Sequence, residues 1–103
     1  MITAACANLD EARQIAHTLV EKRLAACVQI VPGVESVYRW KGEVETAEEV
    51  LLVIKSNEAL WERVGDEIRA LHSYEVPEIL ALPVAHGLPA YLTWMDEQLT
   101  SVL

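Results

Sequence analysis

The stretch that decides the fold is Ala25–Lys55, AACVQIVPGVESVYRWKGEVETAEEVLLVIK. β-Branched residues fill Ala25–Val31, and an alternation with period two resumes after Pro32-Gly33, which predicts one strand interrupted by a bend or bulge. Gly42 provides a turn, and Glu43–Lys55 returns as a second strand with a strongly apolar end. Because this hairpin is longer than a small domain needs, we expect its far end to pack on a neighbouring subunit.

Strand and helix patterns alternate on both sides of the hairpin. Ile2–Ala7 predicts a first strand, and Asn8 followed by Glu11 has the spacing of a capping box at the start of a helix. Asn57 opens a second helix, and Glu78–Val84 predicts a fourth strand. The apolar positions of the three helices are Ala12, Ile15, Ala16, Leu19 and Val20, then Leu60, Trp61, Val64, Ile68 and Leu71, then Tyr91, Leu92, Met95, Leu99 and Val102.

This element order, βαββαβ followed by a C-terminal helix, predicts an α+β ferredoxin-like sandwich with a long hairpin between its second and third strands. We expect the 103 residues, 1–103, to form a single domain. Right-handed crossovers bring the end of the first strand and the end of the second helix to the same end of the sheet. The topology therefore predicts that Cys6 and His72 lie at one end of the sheet.

Composition disfavours several classes of partner. The 16 acidic residues outnumber the 8 basic ones, for a formal net charge of −8, so we expect neither a nucleic-acid nor a membrane partner. A chain this short with 52% hydrophobic residues is expected to be an oligomer. No signal peptide is visible, and Cys6 and Cys27 lack the density of a disulfide framework, so we expect reduced thiols and a cytoplasmic protein.

Cys6 and His72 are the thiol and imidazole that this topology gathers, and such donors suit copper or zinc. Water, a carboxylate or a neighbouring subunit would have to complete the coordination. The alternatives are a buried core cysteine and a histidine that interacts with a helix C-terminus. Cys27 is expected in the core, and His17 and His86 are expected in solvent.

Other polar groups give weaker indications. Glu75 and Glu78 flank a proline and could act as acid and base, but the sequence offers no nucleophile with an adjacent base and no phosphate-binding glycine loop. Tyr38, Trp40 and Tyr74 could line a cavity or pack against a partner chain. Gly65 lies within the second helix, where it predicts a close packing contact.

Three segments, KRLAACVQIVPGVESVYRWKGEVETAEEVLLVIKS, LHSYEVPEILALPV and YLTW, resemble the CutA family of divalent-cation tolerance proteins. The resemblance implies a ferredoxin-like subunit in a tight homotrimer, with hairpins that reach into neighbouring subunits, and it implies copper(II) binding and metal tolerance. Cys6 matches the family's cysteine in the first strand, and His72 matches one of its histidines. Leu71 stands where some members have a second histidine, and Ser73 stands where many have proline.

Our first hypothesis is a non-enzymatic, trimeric protein of the cytoplasm that binds copper or other divalent cations through Cys6 and His72, without an organic cofactor. The alternative is a PII-like regulatory trimer that binds a small molecule or a protein in clefts between subunits. That cleft would be lined by Tyr38, Trp40, Lys55, Tyr74 and Glu78. An enzyme of acylphosphatase type is least favoured, because the loop after the first strand is acidic.

Overall fold

The computed structural model describes residues 1–101. Its strands and helices are β1 (Ile2–Cys6), α1 (Leu9–Glu21), β2 (Cys27–Trp40), β3 (Glu43–Lys55), α2 (Trp61–Leu71), β4 (Ile79–Ala81) and α3 (Pro89–Gln98). The sheet has the order β2-β3-β1-β4, and every neighbouring pair is antiparallel. This is the predicted ferredoxin-like arrangement. Val102, predicted in the stripe of the last helix, lies outside the described residues.

The hairpin of β2 and β3 forms as predicted. Its turn places Lys41 and Gly42 at φ values of 49° and 81°, and two successive residues with positive φ match the right-handed twist of the strands. The predicted interruption is a β-bulge: the pair Val31–Leu51 is followed by Val34–Glu49, so β2 holds one residue more than β3.

One face of the sheet is covered by α1 and α2, and this contact forms the hydrophobic core. The fully buried side chains include Ile15 and Leu19 of α1, Leu52 of β3 and Ile68 of α2. Val20, predicted in the same stripe, is 43% exposed because it lies at the margin of the apolar face of α1. Across the described residues, no helix is both long and apolar enough to cross a membrane.

One expectation about packing is wrong, and a second has no support within the described residues. Cys27 is only half-buried, because it pairs with Lys55 and therefore lies on the sheet face opposite the helices. A Cβ built on Gly65 meets no other atom of the described residues within 4 Å, so no close contact within this part of the chain requires glycine there.

Strand β4 is shorter than predicted, Ile79–Ala81 instead of Glu78–Val84. Its partner β1 begins at Ile2, and the last backbone bond between the two segments runs from the Leu82 N–H to the Met1 carbonyl at 2.7 Å. The next residue, Pro83, has no N–H to donate to a strand ladder.

The second sheet face carries apolar side chains that stay exposed or half-buried. In β3 the even-numbered residues from Val50 to Ile54 are buried against the helices, so the odd-numbered Leu51 and Val53 lie on the opposite face. Residues paired across neighbouring strands have their side chains on the same face. By the same pairing it also holds Tyr38, Trp40 and Leu80, which are 43%, 59% and 58% exposed. We call this surface the open face.

Candidate metal centre

Three potential metal ligands meet at one end of the sheet. Cys6 ends β1, Glu11 lies in the first turn of α1, and His72 follows the last residue of α2. One ligand atom of each, a thiol sulfur, a carboxylate oxygen and a ring nitrogen, lies within 4.8 Å of the other two. The structure therefore places Cys6 and His72 together, at the end of the sheet that the topology predicted, and adds Glu11.

The His72 side chain is fully buried, and both of its ring nitrogens are hydrogen-bonded. The backbone N–H of Tyr74 donates to Nδ1 at 3.0 Å. A backbone N–H can only donate, so Nδ1 is an acceptor and the hydrogen of a neutral ring is on Nε2. Nε2–H then donates to the carbonyl oxygen of Ala5 at 2.6 Å. In this arrangement neither nitrogen has a free lone pair for a cation.

Glu11 connects three parts of this end of the molecule. Its N–H donates to the Asn8 side chain at 2.9 Å, which confirms the predicted cap. The return bond differs from a capping box: the Glu11 carboxylate accepts from the N–H of Ala7 at 3.1 Å instead of that of Asn8. The other carboxylate oxygen accepts from the N–H of Ser73. Burial raises the pKa of Glu11, but the hydrogen bonds from Ser73 and Ala7 lower it by more, so the net pKa is below its ordinary value. The carboxyl is therefore ionised at neutral pH.

Sequence reasoning treated Glu11 only as a capping residue. A signal for its second role was present, since the first turn of α1 directly follows the strand end that holds Cys6. If the Glu11 carboxylate accepts from an N–H that precedes the cap residue, it lies near the end of that strand. What the sequence did not reveal was the distant donor, Ser73.

The Cys6 thiol is completely buried. Burial raises its pKa from 9.0 to about 11, and the negative charges of Glu11 and Glu49 act in the same direction. The thiol is therefore protonated at neutral pH, and a metal would have to displace that proton, because the thiolate is the ligand.

The donor set suits a borderline metal ion. Thiolate, imidazole and carboxylate are the ligands of Zn²⁺, and the first two also suit copper. Ligand atoms around a tetrahedral Zn²⁺ ion are separated by roughly 3.3–3.8 Å, given bonds of about 2.0–2.3 Å. Separations of up to 4.8 Å thus require a small contraction. The residues fit such an ion, provided that the proton of Cys6 and one hydrogen bond of His72 are given up.

The five residues predicted to line a cleft do not all come together in one chain. Tyr74 is beside His72, with ring centroids 4.8 Å apart, and its hydroxyl donates to Glu49 at 3.3 Å. Tyr38 and Trp40 lie further along the open face. Glu78 is exposed, and its carbonyl accepts from the N–H of Ala5.

Lys55 lies at the opposite end of β3, with its Nζ 6.0 Å from the centre of the Tyr91 ring. It lines a groove of about 950 Å³ that none of the other four residues lines. The ten residue-to-residue steps from Glu45, the partner of Tyr38, to Lys55 span roughly 33 Å of strand. A cleft that holds all five would need a second chain.

Comparison with known proteins gives one family. Residues 1–98 match the CutA1 divalent ion tolerance protein family. The chain is 52% identical, over 88 residues and 85% of each chain, to the divalent-cation tolerance protein CutA of Thermus thermophilus. It is 45% identical over 97 residues to protein CutA of Mus musculus, covering 94% of this chain and 55% of the mouse protein.

The solved structure of the divalent cation tolerance protein from Thermus thermophilus superimposes with a TM-score of 0.94. That comparison has 45% sequence identity and covers 96% of both chains. The match extends through the hairpin, the Cys6 strand and the segment after α2. This chain belongs to the CutA1 family of divalent ion tolerance proteins.

Proposed function

We propose that this protein contributes to metal tolerance by binding divalent cations, copper or zinc among them, at Cys6, Glu11 and His72. The observation that carries this proposal is that the three ligand atoms lie within 4.8 Å of one another. The names of the relatives, divalent-cation tolerance proteins, support the same role. The three donors are mixed in softness, so the site suits Cu or Zn better than Mg or Ca.

The burial of the Cys6 thiol and the hydrogen bonds of His72 support a non-enzymatic role. A thiol beside an imidazole and a carboxylate is also the composition of a nucleophilic site. Here the Cys6 thiol is inaccessible and its pKa is raised to about 11, and the Nδ1 and Nε2 atoms of His72 are both engaged. Such a histidine is not free to take the thiol proton. Cys6 and His72 therefore do not form the nucleophile and general base that acyl transfer needs.

We propose a homotrimer as the working assembly. The open face supports it, because Tyr38, Trp40 and Leu80 form part of an apolar surface that water would otherwise contact. The hairpin supports it as well, since Val37 and Val44 on its other face are 66% and 67% exposed. We propose the cytoplasm as the compartment, which the two free cysteines support. Analytical ultracentrifugation tests the assembly: a monomeric mass at micromolar concentration contradicts it.

The binding role is tested by titrating Zn²⁺ and Cu²⁺ into the purified protein, with a competing chelator of known affinity. The double variant Cys6→Ser, His72→Ala is expected to lose the site. The matched control is Cys27→Ser, His17→Ala, which removes a thiol and an exposed imidazole elsewhere in the chain. Equal affinity and stoichiometry in the wild type and the first double variant would refute the proposal.

A further inference from the structure

The bond between the Tyr74 N–H and Nδ1 of His72 links the centre to the surface, and a cation cannot bind while that bond persists. A neutral imidazole, the form that binds metals, has one N–H and one lone pair. If Nε2 binds the cation, the ring hydrogen moves to Nδ1. Nδ1–H then points at the Tyr74 N–H, so two donors face each other without an acceptor.

The other coordination mode has the same result. If Nδ1 binds the cation, the metal occupies the position that the hydrogen of the Tyr74 N–H occupies now. The 3.0 Å separation between Nδ1 and the Tyr74 nitrogen leaves no space for an ion between them. Whichever ring nitrogen of His72 becomes the ligand, the hydrogen bond to Tyr74 is lost.

A second tether of the same segment depends on the same centre. The N–H of Ser73 donates to the carboxylate of Glu11, and the other carboxylate oxygen is 4.0 Å from Nε2 of His72. A Glu11 carboxylate that turns toward a cation weakens its bond to Ser73. One binding event thus acts on two adjacent backbone N–H groups.

The segment that these bonds hold has few other contacts that would keep it in place. Residues 73–76 belong to no helix or strand and are all exposed, with Val76 at 86%. The Tyr74 ring lies against His72, and its hydroxyl reaches Glu49, which pairs with Val34 on the open face. A displacement of this segment therefore moves an aromatic side chain at the margin of the open face.

We propose that binding of a divalent cation at Cys6, Glu11 and His72 breaks the Tyr74 N–H···Nδ1 bond and displaces residues 73–76. This inference rests on the proposed function and adds a consequence to it: occupancy of a buried centre changes the surface at Tyr74. The neighbouring copy of the chain, which the open face is proposed to contact, is the partner placed to respond to it.

The test uses the full-length protein and Zn²⁺ alone, which is diamagnetic and does not oxidise thiols. Long-range ¹H–¹⁵N correlation spectra report which ring nitrogen of His72 carries the hydrogen. Amide exchange of Tyr74 is expected to accelerate roughly tenfold at saturation, the factor for one lost hydrogen bond. The N–H of Leu60, which donates to the Asn57 side chain at 3.0 Å far from the centre, is the internal control and is expected to be unchanged.

His72→Gln is the matched variant, because its amide can donate to the Ala5 carbonyl and accept from the Tyr74 N–H without providing an imidazole. Its Tyr74 amide is expected to stay protected at every Zn²⁺ concentration. If Zn²⁺ binds through Cys6 and His72 while Tyr74 keeps its protection, this inference is overturned and the proposed function stands. If calorimetry finds neither Zn²⁺ nor Cu²⁺ binding that the Cys6→Ser, His72→Ala variant abolishes, both are overturned.

Discussion

Nε2–H of His72 donates to the carbonyl oxygen of Ala5 across 67 positions of sequence, at 2.6 Å. The N–H of the same Ala5 donates to the Glu78 carbonyl. Ala5 is thus hydrogen-bonded to both ends of the segment that follows α2, to His72 at its start and to Glu78 at its end. Strand pairing between β1 and β4 begins only at Ala4 and Ile79. The imidazole thus provides a donor to a backbone carbonyl just beyond the part of β1 that pairs with β4.

Replacing His72 by alanine is expected to destabilise the fold even without metal. The substitution leaves a buried carbonyl of Ala5 without its donor and opens a cavity, and it should lower the free energy of unfolding by about 1–3 kcal/mol. His72→Gln should recover part of the loss. Urea unfolding at one fixed protein concentration measures this. The exposed His17→Ala is the control, and an equal effect of both alanine variants would contradict the structural role of His72.

Glu11 should make stability depend on pH in the acid range. Its pKa is lower in the folded protein than its ordinary value of 4.5. The ionised carboxylate therefore stabilises the fold above about pH 4.5, and this contribution is lost as the pH falls through the lowered folded value. Glu11→Gln should flatten the fall in urea midpoint between neutral pH and about pH 3. Glu21→Gln, at the exposed end of the same helix, should leave the curve unchanged, and parallel curves for wild type and Glu11→Gln would refute the assignment.

The two thiols should differ strongly in their rates of alkylation. Cys6 is fully buried, and burial raises its pKa to about 11, whereas Cys27 is partly exposed. Since the thiolate is the nucleophile, iodoacetamide at about pH 8 should modify Cys27 first, with Cys6 reacting only after denaturation. Peptide mass spectrometry over time distinguishes the two sites. Equal and measurable rates at both thiols in the folded protein would contradict this geometry, whereas protection of both would indicate that a subunit contact covers Cys27 on the open face.

The same substitution at two glycines should have opposite effects. Gly65 lies inside α2 with open space where a Cβ would be, so Gly65→Ala should stabilise the protein by about 0.5–1 kcal/mol. Gly42 has a φ of +81° in the hairpin turn, so Gly42→Ala should destabilise it by about 1 kcal/mol. Thermal unfolding at matched concentration measures both changes. A loss of stability at Gly65 would indicate that another subunit packs against that position.

The fold was predictable where the signals are local. Gly42 and the alternation on either side define the hairpin, and the predicted bounds of β3, Glu43–Lys55, match the structure. The length of β4 was not predictable, because it depends on its pairing with β1, which is distant in sequence. Cys27 was misplaced for a similar reason: apolar neighbours do not reveal which sheet face a residue occupies.

The centre was predictable in part. The right-handed topology was sufficient to predict that Cys6 and His72 lie at one end of the sheet. It could not reveal that Nδ1 accepts from Tyr74, nor that Glu11 would join the pair, since both depend on the path of residues 73–76. Metal binding itself stays a prediction, as does the extent of the single domain.

The single extra residue between Val31 and Val34 inverts the parity of β2. Before it, even-numbered side chains face the helices, as Ile30 does opposite Leu52; after it, odd-numbered side chains do, as Glu35 does opposite Glu48. Deleting one residue there would exchange the two faces for every later side chain of β2, and Tyr38 would then face the helices. The number of residues in the bulge, and not the hydrophobicity of the aromatic residue, thus determines that Tyr38 lies on the open face.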